Sequence, residues 1–386
     1  MIDIYSKKFL MKQKETTPTP EPEPEPSLVQ VLGAVPKDFS NGFKYNLIKR
    51  NDYFYMLYED SPQKGEDDTE VQKLNFISRT KDFKSWEGSG IGSGYIRYDE
   101  TADAFFCSHL GMRYKTNLYN DVKYNIIKIN PDDFSYKVQN ILTSTMDITS
   151  RGITHIERVG NYLMLLCYIN KTSVYSFYSS NNGETWSSKL LVTTPSFGIG
   201  LDGIKSCSNG NGMKASIYYG STTSSSKFFT SPTACQNSSS KATNTDRAGY
   251  SKGNKLIGIS TNNELTISTD GVNDTKYQLS GKLATENGVF YGDYYITAAP
   301  TSGGNSTKFE YLGKIILHNL KTREIFLFDP ELDAVSASFG YYTSQLKILN
   351  IFDDYLYFSF AKNGSNCSVG KVAITDILNN LQKYTA

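Results

Sequence analysis

The acidic residues are the first candidates for catalysis in this chain, because two carboxyl groups held at a suitable distance can act as a catalytic pair. Two carboxyl groups about 5 to 9.5 Å apart hydrolyse a glycosidic bond, one as general acid and the other as nucleophile or base. The chain has 39 acidic residues and none stands in a distinctive phrase. We therefore interpret hydrolysis as the alternative function and not as the leading one. The candidate carboxylates are Asp99, Glu157, Asp202 and Glu286.

The three histidines and the glycines give no sign of a metal or a cofactor. His109, His155 and His318 have no second histidine or acid at ligand spacing. His155 alternates with apolar neighbours, as a half-buried strand residue does. No glycine-rich phosphate loop precedes a helix. We therefore expect no metal and no cofactor.

Loops rich in Tyr, Asn and Ser favour binding over catalysis. An aromatic face stacks on a sugar ring, while amide and hydroxyl groups bond the sugar hydroxyls. The richest loops are 221–226, 236–246 and 301–307. The binding residues predicted from them are Ser221, Ser224, Gln236, Asn237, Asn244 and Asn305.

Four similar phrases identify the elements that position these loops. In each, a pair of Asn, Asp or Gly residues tolerates the left-handed backbone of a tight turn. The aromatic and branched residues that follow at once are typical of a buried strand. The phrases are 51–58, 160–165, 292–296 and 353–358.

Seven further strand phrases recur at a roughly 40–55-residue period, which is near that of a propeller blade. We interpret them as outer strands. They predict an all-β fold, a β-propeller of about seven four-stranded blades, with six or eight left open. The phrases are Phe76–Ser78, Ile126–Lys128, Phe177–Ser179, Ile217–Tyr219, Leu265–Ile267, Ile315–Leu317 and Lys371–Ala373.

One turn phrase, Ser179 to Trp186, resembles the Asp-box of sialidase-like β-propellers, with Asn181 where that family usually has Asp. The segment 268–271 resembles a degenerate copy, and 80–86 resembles the related turn of furanosidase-type propellers. The resemblance implies a folding device: turn residues bond locally and the Trp packs between strands, away from any active site. The structural residues it implies are Ser179, Asn181, Gly183, Thr185 and Trp186.

The arginines of this chain do not favour a sialidase activity, because they are scarce, eight in all, and no Arg-Ile-Pro phrase of that family precedes the first blade. Those enzymes use three arginines for the substrate carboxylate, a tyrosine with an acidic partner as nucleophile, and an aspartate acid/base. The arginines able to converge here are Arg50, Arg151 and Arg158. Since Arg50 and Arg158 adjoin turn phrases, we expect them to be solvated surface residues.

The N-terminal composition predicts an arm in front of the propeller. Residues 17–26 alternate Pro with Thr or Glu, so we interpret residues 17–27 as an extended polyproline II spacer. We expect residues 1–16 to dock on a partner and residues 28–386 to form the propeller, with a short helix within 374–381. Residues 29–32 are expected to complete the sheet formed by 340–373. The docking residues are Lys7, Lys8, Phe9, Leu10 and Met11.

Charge and cysteine usage narrow the classes of partner. The net charge is +1 and no basic stripe is present, so we expect no nucleic-acid partner. No apolar run approaches the roughly 20 residues of a membrane span, so we expect no membrane insertion. The five cysteines include no C-x-x-C pair, and we interpret them as small buried hydrophobes.

A basic peptide, a stiff spacer and a Tyr/Asn/Ser-rich propeller together resemble the layout of a bacteriophage tail or virion attachment protein. The resemblance implies a non-enzymatic receptor-binding protein of the virion. Its arm would anchor it to another virion protein, and its propeller would recognise a host surface glycan or protein. It leaves open whether the protein is oligomeric within the assembly. The alternatives are a propeller glycosidase acting on surface polysaccharide, and a secreted or cell-surface adhesion module of a bacterium.

Overall fold

The computed structural model describes the chain in sixteen stretches. Apart from one short helix, their regular structure is β-strand, and all sheet pairings are antiparallel. The described residues are 27–36, 46–59, 75–90, 94–110, 124–142, 156–169, 173–193, 199–208, 211–219, 223–237, 256–259, 264–278, 288–298, 313–332, 346–362 and 366–384.

These strands form seven sheets, numbered here in chain order. Sheets 1 to 3 are complete four-stranded meanders. Sheet 1 contains β2 (Asn46–Arg50), β3 (Tyr53–Glu59), β4 (Asn75–Thr80) and β5 (Glu87–Gly90). Sheet 2 contains β6 (Gly94–Asp99), β7 (Ala104–Leu110), β8 (Tyr124–Ile129) and β9 (Tyr136–Leu142). Sheet 3 contains β10 (Glu157–Val159), β11 (Tyr162–Ile169), β12 (Ser173–Ser179) and β13 (Ser187–Thr193).

Sheets 4 to 7 follow the same plan, and a strand from each terminal region of the chain joins a sheet at the end of the series. Sheet 4 contains β14 (Ile199–Ser208), β15 (Met213–Tyr219), β16 (Thr223–Phe229) and β17 (Cys235–Asn237). The described part of sheet 5 contains β18 (Leu256–Ile259), β19 (Glu264–Ser268) and β20 (Thr275–Gln278). Sheet 6 contains β21 (Val289–Tyr291), β22 (Tyr294–Ala298), β23 (Ile315–Asn319), β24 (Ile325–Phe328) and β28 (Gln382–Lys383). Sheet 7 contains β25 (Lys347–Phe352), β26 (Tyr355–Lys362), β27 (Asn366–Ala373) and β1 (Gln30–Ala34).

The hydrophobic core lies between neighbouring sheets. In β3, Tyr55 packs with Phe105 of sheet 2, whereas the adjacent Met56 packs with Leu349 of sheet 7. Consecutive residues of a strand point to opposite faces, so sheet 1 is covered on both sides. This explains why the strand phrases are nearly continuous apolar runs instead of alternating ones.

The sheets are arranged as the blades of a propeller. First strands of neighbouring sheets contact each other, β25 with β2 and β21, and β10 with β6 and β14. They therefore lie at the centre, with the fourth strands outermost. The predicted all-β propeller is confirmed. Five of the seven marker phrases are in third strands, Leu265–Ile267 is in the middle of the three strands described in sheet 5, and Ile217–Tyr219 is in a second strand, so their interpretation as outer strands was wrong.

The ring closes in sheet 7, where strands from the two terminal regions of the chain pair. Strand β1 pairs with β27 as the outermost strand of sheet 7, which is the closure expected from residues 29–32. The helix α1 (Ile374–Asn379) follows β27 and buries Ile374 and Ile377 against the same core as Val29. The chain then crosses to sheet 6, where β28 pairs with β24.

Three described cysteines are buried, in agreement with the sequence interpretation: Cys107, Cys167 and Cys367. Burial raises the pKa of Cys107 to about 12. Cys235, in β17, is exposed, which the interpretation did not foresee. Within the described stretches, no helix has the length and apolar character needed to cross a membrane.

Candidate functional site

In a sheet that is an antiparallel meander, the turns joining the first to the second strand and the third to the fourth strand lie at the same end. We call this the turn end. The Ser179–Trp186 turn of sheet 3 is one of these. Ser179 Oγ accepts from the backbone N–H of Gly183 at 2.8 Å, and Asn181 Oδ1 accepts from that of Thr185 at 3.0 Å. Gly183 adopts φ +82°, a conformation that favours glycine.

Two other turns use the same chemistry. Thr80 Oγ1 accepts from Phe83 N at 2.9 Å, and Asp82 Oδ1 accepts from Lys84 N at 2.9 Å. In the third turn, Ser268 Oγ accepts from Gly271 N at 2.9 Å. Backbone bonds from Asn273 and Val272 hold the pKa of the Asp270 carboxyl well below its ordinary value. The hydroxyl residue and the side chain two positions later therefore fix each turn locally.

Ion pairs join neighbouring sheets at the turn end. Arg50, the last residue of β2, donates to Asp103 at 2.5 and 2.7 Å and to Asp132 at 2.5 Å, both in turns of sheet 2. Tyr98 Oη donates to the same Asp103 at 2.6 Å. Only 12% of the Arg50 side chain is exposed, so the expectation of a solvated surface arginine was wrong.

The described candidate acids are also tied to arginines. Asp99 binds Arg158 through both carboxylate oxygens, and Glu157 Oε1 lies 3.5 Å from Arg97 Nη2. Arg158 is 14% exposed, so it too was wrongly expected to be solvated. Both pairs bridge the first strands of sheets 2 and 3, which gives these carboxylates a structural role. Of the other candidates, Arg151 and Glu286 lie outside the described residues, as does the side chain of Asp202.

A groove of about 340 Å³ lies between sheets 2 and 3, on the outer side of these ion pairs. Sheet 2 contributes its outermost strand, β9. Sheet 3 contributes β12, β13 and the end of the Ser179–Trp186 turn. The volume is at the lower end of the range of ligand pockets, about 300–1000 Å³. The lining residues are Gln139, Ile141, Phe177, Glu184, Thr185, Trp186, Ser187 and Ser188.

Two polar atoms of this lining lack hydrogen-bond partners. The indole N–H of Trp186 and the Oε1 of Gln139 are both buried and, within the described part of the chain, unpaired. One is a donor from sheet 3 and the other an acceptor from sheet 2. A buried unpaired donor or acceptor costs about 1–3 kcal/mol, so native structures keep few of them.

Trp86 occupies the equivalent place between sheets 7 and 1, and its indole N–H is satisfied. It donates at 2.9 Å to the backbone carbonyl of Ala34, in the outermost strand of sheet 7. Both tryptophans end a third-to-fourth-strand turn and face the outermost strand of the preceding sheet. The unmet donor is therefore a property of the Trp186 groove and not of the turn.

Glu184 is the acidic residue of the groove lining, and its carboxylate forms ion pairs with two lysines. Lys128 Nζ lies 2.5 Å from Glu184 Oε1, and Lys137 Nζ lies 3.0 Å from Oε2. These two lysines hold the pKa of the Glu184 carboxyl below its ordinary value. The Glu184 backbone carbonyl accepts from Gln139 Nε2 at 2.7 Å. This hydrogen bond links the side-chain amide of Gln139 in sheet 2 to the turn of sheet 3.

The predicted binding residues do not come together at this groove. Ser224 lies in β16, and Gln236 and Asn237 lie in β17, so these three belong to strands and not to loops as predicted. They are in strands because β16 pairs with β15 and β17 pairs with β16. Gln236 and Asn237 are exposed on the outer edge of sheet 4. Ser221, Asn244, Asn305 and the arm residues 1–26 lie outside the described residues.

The histidines are separate in the described structure. His318 is buried in β23, His109 belongs to β7, and His155 lies outside the described residues. The described residues contain no group of three His, Cys, Asp or Glu side chains placed to hold a metal ion.

Sequence reasoning missed Gln139, because its partners are far away in the chain. Glu184 is 45 residues further on, and nothing in the phrase around Gln139 marks it. The available signal was the tryptophan ending an Asp-box-like phrase, which pointed to packing between strands. Trp186 does pack against the core between sheets 2 and 3, but it also lines the groove.

No protein-family model and no curated protein matches the sequence. Among solved structures, the AfRom2 CNH domain is 11% identical with a TM-score of 0.41, over 89% of this chain and 98% of that one. The Trypanosoma rangeli sialidase in complex with 2,3-difluorosialic acid is 8% identical with a TM-score of 0.35, over 88% of this chain and 55% of that one. The Pyrococcus horikoshii acylaminoacyl peptidase is 8% identical with a TM-score of 0.40, over 87% and 53%. With TM-scores below 0.5, these similarities carry no argument about activity.

Proposed function

We propose that this protein is a carbohydrate-binding attachment protein without catalytic activity, and that the Trp186 groove takes part of a surface glycan. The observation that carries the proposal is the unpaired donor on one wall and the unpaired acceptor on the other. Sugar hydroxyls both donate and accept, so a hydroxyl-bearing ring can satisfy both atoms once side-chain movement exposes them. An indole ring beside them offers the apolar face on which sugars stack.

The Asp-box assignment is part of this proposal. Ser179, Asn181, Gly183 and Thr185 form the bonded turn, and Trp186 follows it at the motif position. The turn has a positioning role here, because it holds the indole against sheet 2. In this proposal a turn that stabilises the fold also positions a ligand-binding residue.

Binding of the purified full chain to a panel of bacterial envelope polysaccharides tests the proposal. We expect saturable binding without release of reducing ends. Trp186→Phe keeps most of the packing but removes the donor, and Gln139→Leu removes the acceptor. Each should weaken binding about 2- to 13-fold, the equivalent of 0.5–1.5 kcal/mol for one hydrogen bond.

A control variant tests whether the glycan binds at this groove or at the residues predicted from the sequence. Gln236→Ala with Asn237→Ala changes the exposed outer edge of sheet 4 and should leave binding unchanged. Loss of binding in this double variant, with none in Trp186→Phe, would move the site to sheet 4. Release of reducing ends by the wild type would favour the alternative, a propeller glycosidase.

The N-terminal arm is the part of the chain proposed to attach the protein to a virion. Residues 17–26 precede Ser27 and alternate Pro with Thr or Glu, and residues 1–16 are basic with an apolar centre. We propose that this peptide docks on another virion protein, so that the propeller is displayed to the host surface. Deletion of residues 1–26 should leave glycan binding intact and abolish incorporation into particles. Unchanged incorporation would favour the bacterial adhesion alternative.

A further inference from the structure

The outermost strand of sheet 3 continues beyond the Trp186 groove. Leu190 in β13 is 44% exposed, which is high for a leucine, and it lies two residues beyond the groove residue Ser188. Residues two apart in a strand share a face. Leu190 therefore extends the wall that Ser188 belongs to.

Register shows which neighbour this face meets. Ser188 pairs with Phe177, and Leu190 pairs with Tyr175. Phe177 and Tyr175 both pack on the core between sheets 2 and 3. Residues directly opposite on antiparallel strands lie on the same face. The exposed leucine is thus on the side of sheet 3 that faces sheet 2.

Sheet 2 continues the opposite wall. Ile141 follows Gln139 in β9, lines the groove and packs on the same core. From Trp186 to Leu190 the chain advances four positions, about 13 Å at the rise of a strand. A furrow of this length with an apolar far end exceeds what a single sugar ring covers.

We infer that the ligand is a linear oligosaccharide chain that lies along this furrow between β9 and β13. One sugar unit occupies the Trp186 groove, and the following units pass over Tyr175 and reach Leu190. This inference rests on the proposed function and specifies its ligand class: an internal stretch of a polymer and not a terminal sugar.

A length series tests it. Oligosaccharides of increasing length, released by partial acid hydrolysis from an envelope polysaccharide that the full chain binds, are titrated against wild type and variants. We expect affinity to rise at least tenfold from the shortest to the longer members and then level off. Leu190→Asn should remove most of that gain, with at most a twofold effect on the shortest binding oligosaccharide. Trp186→Phe should weaken binding at every length.

Val138→Asn is the matched control. Val138 is 49% exposed on β9, and its partner Ile127 packs on the core between sheets 1 and 2, so it faces away from the furrow. It should bind every oligosaccharide as wild type does. Affinity independent of length, or a Leu190→Asn effect matched by Val138→Asn, would overturn the furrow while leaving the groove standing. Absence of binding at any length would overturn the proposed function itself.

Discussion

The indole N–H of Trp86 donates to the backbone carbonyl of Ala34 at 2.9 Å, joining sheet 1 to the strand that closes the ring. Trp186 stands at the equivalent place against sheet 2 with no such acceptor in the described chain. Two tryptophans at equivalent places in related turns thus differ in whether the indole N–H is hydrogen-bonded. Comparing their substitutions isolates that bond.

Trp86→Phe should destabilise the fold more than Trp186→Phe. Both changes lose a similar volume of packed ring, but only the first breaks a hydrogen bond and leaves a carbonyl unpaired. We expect a difference of about 0.5–1.5 kcal/mol in the free energy of unfolding, measured by urea denaturation. Equal losses would mean that the Trp186 donor is satisfied in solution.

Acid should weaken the joint between sheets 1 and 2. Hydrogen bonds from Arg50 and then from Tyr98 lower the pKa of Asp103 to about 2, from an ordinary value near 3.9. A carboxylate whose pKa is lower in the folded state stabilises the fold above its unfolded pKa. That contribution is lost as the pH falls through the folded value. Thermal unfolding from pH 6 to pH 2 should show this loss.

Asp103→Asn removes the group and should flatten part of that acid dependence, with lower stability at neutral pH. Asp52→Asn is the matched control, because Asp52 is an exposed carboxyl in a turn at the same end of sheet 1. An identical pH profile for wild type and Asp103→Asn would contradict the role given to this contact.

Gly183 should tolerate a side chain less well than Gly292. Both residues have positive φ, +82° and +54°, so alanine costs about 1–2 kcal/mol at either position. A Cβ at Gly183 would lie 2.4 Å from the ring of Phe106, whereas one at Gly292 meets nothing within 4 Å. Gly183→Ala should therefore cost about 1–3 kcal/mol more. Equal melting temperatures for the two variants would show that the interface between sheets 2 and 3 yields freely.

Removal of residues 381–386 should loosen the joint between sheets 6 and 7. It deletes β28, which pairs with Phe326 and Leu327, and the Tyr384 ring that covers Ile316 and Ile325. We expect a loss of about 1–3 kcal/mol, measured by chemical denaturation. Lys383→Ala removes only the ion pair to Glu324 and should change stability little. If Lys383→Ala lowered stability as much as the truncation does, the ion pair and not the pairing of β28 with β24 would account for the loss.

Local patterns could be predicted from the sequence, whereas contacts between sheets could not. The Ser179–Trp186 turn was predictable because its hydrogen bonds span at most four positions. Arg50 was misjudged because Asp103 and Asp132 are 53 and 82 residues away, and only the ring brings them together.

Strand assignment failed where tertiary pairing outweighs residue type. The serine run around Ser224 has the composition of a loop, yet it pairs along the length of β15. The groove escaped prediction for a related reason: Gln139 and Trp186 belong to different sheets, and no local phrase links them.

Closure of the ring at one joint determines how the molecule carries mechanical load. Val29, two residues after the spacer 17–27, is buried with Ile374 and Ile377 of α1, and β1 pairs along its length with β27. If the arm is anchored and the propeller holds a ligand as proposed, a pull between them acts first on β1 and its pairing with β27. In that arrangement, the strength of the β1–β27 pairing, and not the stability of a single sheet, would set how long the tethered propeller stays assembled under tension.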